Sequence, residues 1–415
     1  MVTVGMIGLG KLGLPTAVTL AQHGHRVVGY DIDPARLRLA AVPPYELDAD
    51  RAGPLTASLA ADLPLSFADL AEVVNGTDCV LVAVETPHGP DYEGSTPLPG
   101  TRSDFSYRAL TGAVAAIAAV ATRPVELGII STVLPGAIRR EVLPVAGGHT
   151  VVYCPQFAAM GTVAHDLRHP EFVLLGYGDR KPVLVKTVLE GLRANDAPTF
   201  EISYESAELA KVTYNTYVGA KVTIANVIQH TAHAIGADAG DVFAVLRSAT
   251  RRLASSTYLG PGMGDGGPCH PRDNIALSWL AGELHLGSDL FTALMHQRQA
   301  YVDWLGDQFV AAAAGRPLIL LGTAYKPGVP IETGSSSVLL ANLLAGKGQQ
   351  VTIVATPADL ADLAAPTPEP AAYFIGCPEP AFVGLDFPAG SIVVDPWHAV
   401  PDAPDVTVIR VGERQ

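Results

Sequence analysis

The run Gly264-Asp265-Gly266-Gly267-Pro268-Cys269-His270-Pro271-Arg272-Asp273 sets one cysteine in a glycine-rich loop between charged neighbours. Glycines let backbone N–H groups approach a bound oxyanion, and Arg272 or a nearby lysine would favour the nucleophilic thiolate form of Cys269. Two readings stand for this loop: a mount for a nucleophile, or a tight turn around a buried thiol. Lys211 and Asn215 lie four residues apart on a proline-free stretch that predicts a long helix from 206 to about 235. One helix face then carries both. They either address one bound group or form an exposed lysine and a polar spot on a bundle helix. A helix from 273 to about 284 puts Asp273 at its N-terminal end, where capping competes with catalysis.

These groups need a scaffold, and the front of the chain supplies one. Val2-Thr3-Val4-Gly5-Met6-Ile7 reads as a buried strand, followed at once by Gly8-Leu9-Gly10-Lys11-Leu12-Gly13 and an apolar helical run from Leu14 to His23. In this context Gly8 makes the tight turn, Gly10 lets the backbone approach a pyrophosphate, and Gly13 allows helix to pack on strand. Lys11 and Leu12 complete the loop, and the pyrophosphate sits on the helix N-terminus. A second strand over 26–30 ends in Asp31, whose carboxylate can accept bonds from the adenosine ribose and would repel a 2′-phosphate, so NAD is expected rather than NADP. Strands at 78–84 and 125–130 lead to Thr86 and Thr132. Ligands gather at such strand ends, so both threonines either face the nicotinamide half or serve as strand-end and capping hydroxyls. Residues 89–103, rich in Gly, Pro and Ser, predict a mobile surface loop.

Further strands at 318–322, 350–354, 372–375, 391–394 and 406–409, with a helix around 337–345, read as another parallel α/β unit. Its first loop, Ala324-Tyr325-Lys326-Pro327-Gly328, offers Lys326 at a strand's carboxyl end, a place to meet phosphate. The stretch 362–370 is turn-rich. At 415 residues and 48% hydrophobic content the chain exceeds one core and can fill two or three. No apolar run reaches membrane-spanning length, and Met1-Val2-Thr3-Val4-Gly5-Met6 lacks the basic opening of a secretory signal, so a cytoplasmic chain without a membrane partner is expected. Cys79, Cys154, Cys269 and Cys377 lie far apart with no CxxC pair, which argues against zinc sites and disulfides, and no metal is expected. A formal charge of −14 and a pI near 5.2 argue against a nucleic-acid surface and leave room for a local basic pocket for a phosphorylated small molecule.

Taken together these segments resemble the UDP-glucose/GDP-mannose dehydrogenase family over nearly the whole chain. The glycine loop with Gly29-Tyr30-Asp31-Ile32-Asp33 is similar to the family's cofactor fingerprint, and Ser131-Thr132-Val133-Leu134-Pro135-Gly136 to its STVxPG segment. Ala207-Glu208-Leu209-Ala210-Lys211-Val212-Thr213-Tyr214-Asn215 resembles its AELxKxxxN helix. Cys269-His270-Pro271-Arg272-Asp273 resembles its CFPKD, and Ala324-Tyr325-Lys326-Pro327 its AFKP. The resemblance implies NAD-dependent oxidation of a nucleotide sugar's primary alcohol to a carboxylate, with two hydride transfers and a covalent intermediate. Cys269 would form a thiohemiacetal and then a thioester, Lys211 and Asn215 would stabilise oxyanions, and Thr132 and Asp273 would hold water. Gln156, Phe157, Met160, Gly266 and Lys326 join the substrate set, and Arg252 would reach the sugar of a neighbouring subunit in a homodimer.

Departures qualify the substrate. Cys154-Pro155-Gln156-Phe157-Ala158-Ala159-Met160-Gly161 stands where the family reads NPEFLxEG, so two glutamates are missing. Gln156 can hydrogen-bond but cannot take a proton, and Met160 can do neither. His270 replaces a phenylalanine as an alternative base or a ring to stack on, Arg272 changes the shape of the usual lysine, and Pro330-Ile331-Glu332-Thr333 lacks the arginine of the family's DDxR portion. The expected fold is α/β, with two doubly wound, Rossmann-like parallel-sheet domains joined by a long-helix central segment. Residues 1–200 would bind NAD, 201–300 would form the helical and dimerisation segment carrying the cysteine loop, and 301–415 would bind the substrate's nucleotide. Two rivals remain: an oxidation that stops at the aldehyde, and a catalytically silent nucleotide-binding homologue, against which the retained Cys269, Lys211, Asn215 and Asp273 count.

Overall fold

The structure is a computed structural model that describes residues 1–59, 62–87, 101, 103–255, 260–267, 269–360 and 369–413. The loops expected at 89–103 and 362–370 fall almost wholly outside these residues. By its internal contacts the chain divides into two compact units, Met1–Ala220 and Lys221–Gln415.

In the first unit β1 (Thr3–Ile7), β2 (Arg26–Tyr30), β3 (Leu65–Phe67), β4 (Cys79–Val82), β5 (Glu126–Ile129), β6 (Thr150–Tyr153), β7 (Val173–Gly176) and β8 (Thr199–Ile202) form an eight-stranded sheet ordered β3-β2-β1-β4-β5-β6-β7-β8. Its neighbours run parallel except β6 and β7, which meet antiparallel at Tyr153 and Gly176. Apolar side chains on successive strand residues point to opposite faces, and each face needs a cover. Val80, Val82, Leu127 and Ile129 pack with Leu110, Val114 and Ile117 of the helix Arg108–Val120. Cys79, Leu81 and Val152 pack on the other side with Leu14, Ala17, Val18 and Ala21 of the helix Gly13–Gln22. The strand order reverses at β1 and β4, which opens a crevice at their carboxyl ends.

The second unit holds β9 (Leu318–Leu321), β10 (Val351–Val354), β11 (Ala372–Ile375), β12 (Ile392–Asp395) and β13 (Thr407–Arg410) in the order β10-β9-β11-β12-β13, all parallel. Leu305 and Phe309 of the helix Leu290–Ala313, with Leu340 and Leu344 of the helix Ser336–Gly346, cover Leu318, Leu320 and Phe374. Phe382 and Phe387 cover Ile319, Leu321, Tyr373 and Ile375 on the opposite face. The expected pair of parallel α/β sheets is therefore present, and the long helix runs over Tyr204–Ile235. Strands β3, β6, β7 and β8 and the helix Leu290–Ala313 have no counterpart in the sequence-based expectation.

The helix expected from 273 instead spans His270–Glu283 with Cys269 as its N-cap residue. Pro271 permits this early start, because first-turn N–H groups have no acceptor inside the helix and a proline there loses no bond. Asp273 is therefore inside the helix and does not cap it; its carboxylate pairs with Arg272 at 2.8 Å.

Gly8 adopts φ +88°, and a β-carbon on Gly13 would stand 1.9 Å from the Gly8 carbonyl oxygen. Gly13→Ala is expected to cost about 1–3 kcal/mol of unfolding free energy, the range for overfilling a packed site, and to weaken dinucleotide binding. Urea midpoints and a cofactor titration read the two effects; an unchanged midpoint would mean that helix and strand can part without loss.

Candidate active site

The turn after β1 is held by backbone bonds that only glycine's freedom allows. Gly8 N donates to Tyr30 O at 2.9 Å, and a β-carbon on Gly8 would lie 2.7 Å from Ala83 O. The next amide, Leu9 N, donates to Asp31 Oδ2 at 2.7 Å, and Asp33 N donates to Asp31 Oδ1 at 2.8 Å. Asp31 is only 8% exposed, so its charge is fixed at the end of β2 by two backbone donors. Arg36 stands 3.9 Å from Asp31 and 3.6 Å from Asp33. That guanidinium faces two carboxylates, which compete with a 2′-phosphate for it.

A cavity of about 1060 Å³ opens over this turn. Gly8, Gly10, Lys11, Leu12, Asp31, Thr86, Thr132, Gln156, Met160 and Lys211 all line it, which gathers most of the expected cofactor residues around one space. Gly13 does not line it and acts from below, as the close contact of helix and strand. The cradle fits a dinucleotide: side chains are excluded from the Gly8 and Gly13 backbone, and the helix Gly13–Gln22 begins directly after the lining residues Gly10, Lys11 and Leu12. Thr86 Oγ1 donates to Thr132 O at 2.7 Å, so the two strand-end threonines are tied to each other. Arg108, Gly112, Ala113 and Ala116, which no motif marks, bring the helix Arg108–Val120 to the cavity wall. The short residues at 112, 113 and 116 share a face, a spacing that could have flagged a close ligand.

A second cavity, about 780 Å³, lies beside Gln156, Phe157, Phe172, Lys211, Tyr214 and Asn215. Phe157 meets Tyr214 and Phe172 edge to face, with centroids 5.0 and 4.7 Å apart. Gln156 and Lys211 line both cavities, whereas Met160 lines only the first. Lys211 is 7% exposed, donates to Gln156 O at 2.8 Å, and stands 4.7 Å over the Phe157 ring. Burial pushes its pKa below the ordinary lysine value. Glu208, one turn earlier and fully buried, accepts from Gly136 N at 2.5 Å and Ile138 N at 2.7 Å. It locks the long helix, and so Lys211, to the segment that follows Thr132. Burial raises the Glu208 pKa, opposed by those two backbone bonds.

Gln156 is 9% exposed and has one partner too few. Thr16 Oγ1 has a single proton and lies 2.8 Å from Leu12 O and 3.1 Å from Gln156 Oε1. With that amide orientation Gln156 Nε2 has no partner; with the amide turned over, Nε2 donates to Thr16 and the carbonyl oxygen is the atom left over. Either way one buried polar atom is available to a ligand, and neither amide atom takes a proton at neutral pH.

In the second unit Cys269 is exposed, while Cys79, Cys154 and Cys377 are buried. A turn around a buried thiol is thereby excluded. Asp273 N donates to Cys269 O at 2.9 Å as the helix starts, and the sulfur sits at the positive end of that helix. Gly266 and Gly267 precede it; Gly267, at φ +90°, packs against the Tyr325 ring, and Lys326 Nζ stands 5.3 Å over that same ring. Arg252 is exposed in a turn. Among the described residues no group of three or more His, Cys, Asp and Glu could hold a metal, and no helix is long and apolar enough to cross a membrane.

The sequence matches the NAD binding domain of the UDP-glucose/GDP-mannose dehydrogenase family over residues 2–191 and that family's central domain over residues 205–298. It is 30% identical over 366 residues to a GDP-mannose 6-dehydrogenase of Pseudomonas syringae pv. syringae, covering 84% of this chain and 80% of that protein. It is 26% identical over 355 residues to a UDP-glucose 6-dehydrogenase of Bacillus subtilis (strain 168), covering 82% and 77%. The fold superposes on the GDP-mannose dehydrogenase of Pseudomonas aeruginosa with a TM-score of 0.82 at 24% identity, covering 98% of this chain and 99% of that one. With the glycine cradle, the buried Asp31 and the matched domains agreeing, the chain belongs to the UDP-glucose/GDP-mannose dehydrogenase family, NAD-dependent dehydrogenases of nucleotide sugars.

Proposed function

We propose that the chain oxidises the primary alcohol of a nucleotide sugar to the carboxylate through a covalent intermediate on Cys269. The observation that carries this reading is the placement of the one exposed cysteine as N-cap of a helix, directly after a glycine-rich loop. Bound NAD supplies the two-electron acceptor that each of the two oxidations requires. At the aldehyde level Cys269 Sγ adds to the carbonyl carbon, and the oxygen gains a proton to give a thiohemiacetal. At the acyl level water adds to the thioester carbon and the C–S bond breaks, returning the thiolate and releasing the acid. Lys211 and Asn215 would stabilise the oxygen while it carries charge, and Thr132 and Asp273 would hold the water. Lys211 is suited to this by burial, because a cation in a low-dielectric wall acts strongly on nearby charge. Phe157, Met160, Gly266, Arg252 and Lys326 complete the proposed substrate set.

The same reading includes a homodimer built on the segment 201–300. Tyr217, Val218, Val222, Ile224 and Ile235 on one helix, and Ile275, Leu277 and Trp279 on another, are exposed. Several exposed apolar side chains on neighbouring turns are what an association surface would use.

Gln156 separates this chain from the family pattern. The amide can hold a water through its free polar atom but cannot remove the proton, so hydrolysis of the thioester is expected to be slow relative to the oxidations. An aldehyde-releasing, two-electron enzyme is the second reading that this residue favours.

Three outcomes are expected. Two NADH should form per substrate, with acid as product, and Cys269→Ala should abolish acid formation while leaving NAD binding intact; one NADH with free aldehyde would establish the two-electron reading. Rapid-quench intact mass should show a covalent adduct accumulating, and Gln156→Glu should shrink it, since general-base help is worth about 10²–10⁴-fold. Full acid turnover without any adduct would assign the base role to another residue. Finally, because burial disfavours the charged ammonium, Lys211 loses its proton below 10.5, and activity should fall as pH rises through that depressed value. Lys211→Arg, which stays charged, should carry the alkaline limb to higher pH; a limb that does not move would belong to a different group.

A further inference from the structure

We infer that Arg298 is the positioning residue for the cysteine loop: one guanidinium ties residues 265–267 to the loop after β9 and so fixes where Cys269 stands. The inference rests on the reading of Cys269 as the nucleophile and assigns a role to a residue that no motif singled out.

Arg298 lies on the helix Leu290–Ala313 with a side chain only 10% exposed. Its Nε donates to the backbone oxygen of Asp265 at 3.1 Å and pairs with the Asp265 carboxylate at 2.9 Å. Its Nη2 donates to Gly334 O at 2.9 Å and lies 3.4 Å from Ser336 Oγ. Ser336 Oγ in turn donates to Asp265 O at 2.9 Å. The second donor to Gly334 O is Gly267 N, at 3.2 Å, two residues before the cysteine. Two backbone carbonyls, one from each loop, therefore converge on a single fork-shaped cation. A guanidinium can serve both at once because its N–H groups diverge in a fixed plane, which an ammonium cannot reproduce.

The loops are held too closely for side chains. A β-carbon on Gly334 would lie 2.1 Å from Gly267 O, and one on Gly267 would lie 2.9 Å from the Tyr325 ring. Upstream, Tyr301 Oη donates to Gly262 O at 3.0 Å, from the same helix as Arg298. Downstream, the helix His270–Glu283 begins at once, with Cys269 as its cap. The sulfur is thus set from both sides. These bonds join the cysteine loop, at Gly262, Asp265 and Gly267, to the helix Leu290–Ala313 and to Gly334 and Ser336 beyond β9, at the end of the loop that carries Tyr325 and Lys326.

Removing the fork should displace the nucleophile without touching the cofactor cleft. A misplacement of 1 Å is worth about 10²-fold in rate. Arg298→Ala is therefore expected to lower kcat by about 10²-fold, with the Kd for NAD within about threefold of the parent. Arg298→Lys keeps the charge but reaches only one carbonyl, and should recover about tenfold of that loss. A urea midpoint followed for each variant shows any unfolded fraction, and kcat is compared per folded molecule. If kcat so compared is unchanged in Arg298→Ala, or if Arg298→Lys is no better than alanine, the positioning role is overturned. The parallel Cys269→Ala enzyme keeps the two ideas apart: acid formed by Cys269→Ala overturns the nucleophile assignment and the positioning role with it, whereas an inactive Cys269→Ala beside a fully active Arg298→Ala overturns Arg298 alone.

Discussion

The distance that a β-carbon on Gly13 would have from the Gly8 carbonyl, 1.9 Å, states the constraint on which the cofactor cleft depends. Helix and strand approach so closely there that positions 8 and 13 have no room for a side chain, and the helix starts directly after the turn that follows β1. The placing of the acidic end of the cleft follows from that approach. The backbone N–H of Leu9 reaches Asp31, which makes the acidic end of β2 part of the same turn. The strand-order reversal between β1 and β4 then supplies the space, and the helix Arg108–Val120 closes the opposite wall.

A second, electrostatic constraint operates where Lys211 and Gln156 meet. Burying a lysine costs free energy unless the group is bonded, and here one donor is taken by the Gln156 carbonyl and the ring face of Phe157 helps to screen the charge. A glutamate side chain at 156 would bring a countercharge to this wall. Glutamine removes it, so Lys211 keeps more of its field for whatever anionic oxygen the cavities receive. In the proposed function, a glutamine that cannot remove a proton leaves Lys211 as the charge in this wall, and both features favour accumulation of an acylated enzyme.

Legibility in the sequence followed the range of the interactions. The cradle was readable because its requirements are local: Gly8, Gly10 and Gly13 sit within six residues, and Asp31 terminates the next strand. Cys269, Lys211 and Asn215 stood out through residue type and spacing. Strands β3, β6, β7 and β8 were not readable, since each is only three or four residues long and takes its identity from pairing with strands distant in sequence. The start of the helix at His270 was missed because Pro271 looks like a stop signal, although a first-turn proline is harmless. Arg298, and the partners of Glu208, were invisible for another reason. Gly136 with Ile138 for Glu208, and Asp265 with Gly334 for Arg298, are set by tertiary contact and leave no trace in local spacing.

The four cysteines show how the fold confines reactivity to one sulfur. Cys79 and Cys154 are both enclosed in the core on one face of the first sheet, and burial pushes the Cys79 thiol up to about 12 and raises Cys154 as well. Cys377 follows β11 beneath Gly322, and burial pushes it to about 12. These thiols stay protonated and out of reach at physiological pH, so they neither attack an aldehyde nor compete for an oxidant. Cys269 differs from them in every respect that geometry controls: it is exposed, it caps a helix, and its approach is lined by glycines rather than by a core. A chain with no CxxC pair and three sequestered thiols has arranged its packing so that sulfur chemistry has one outlet, and the bonds that fix that outlet in place converge on the guanidinium of Arg298.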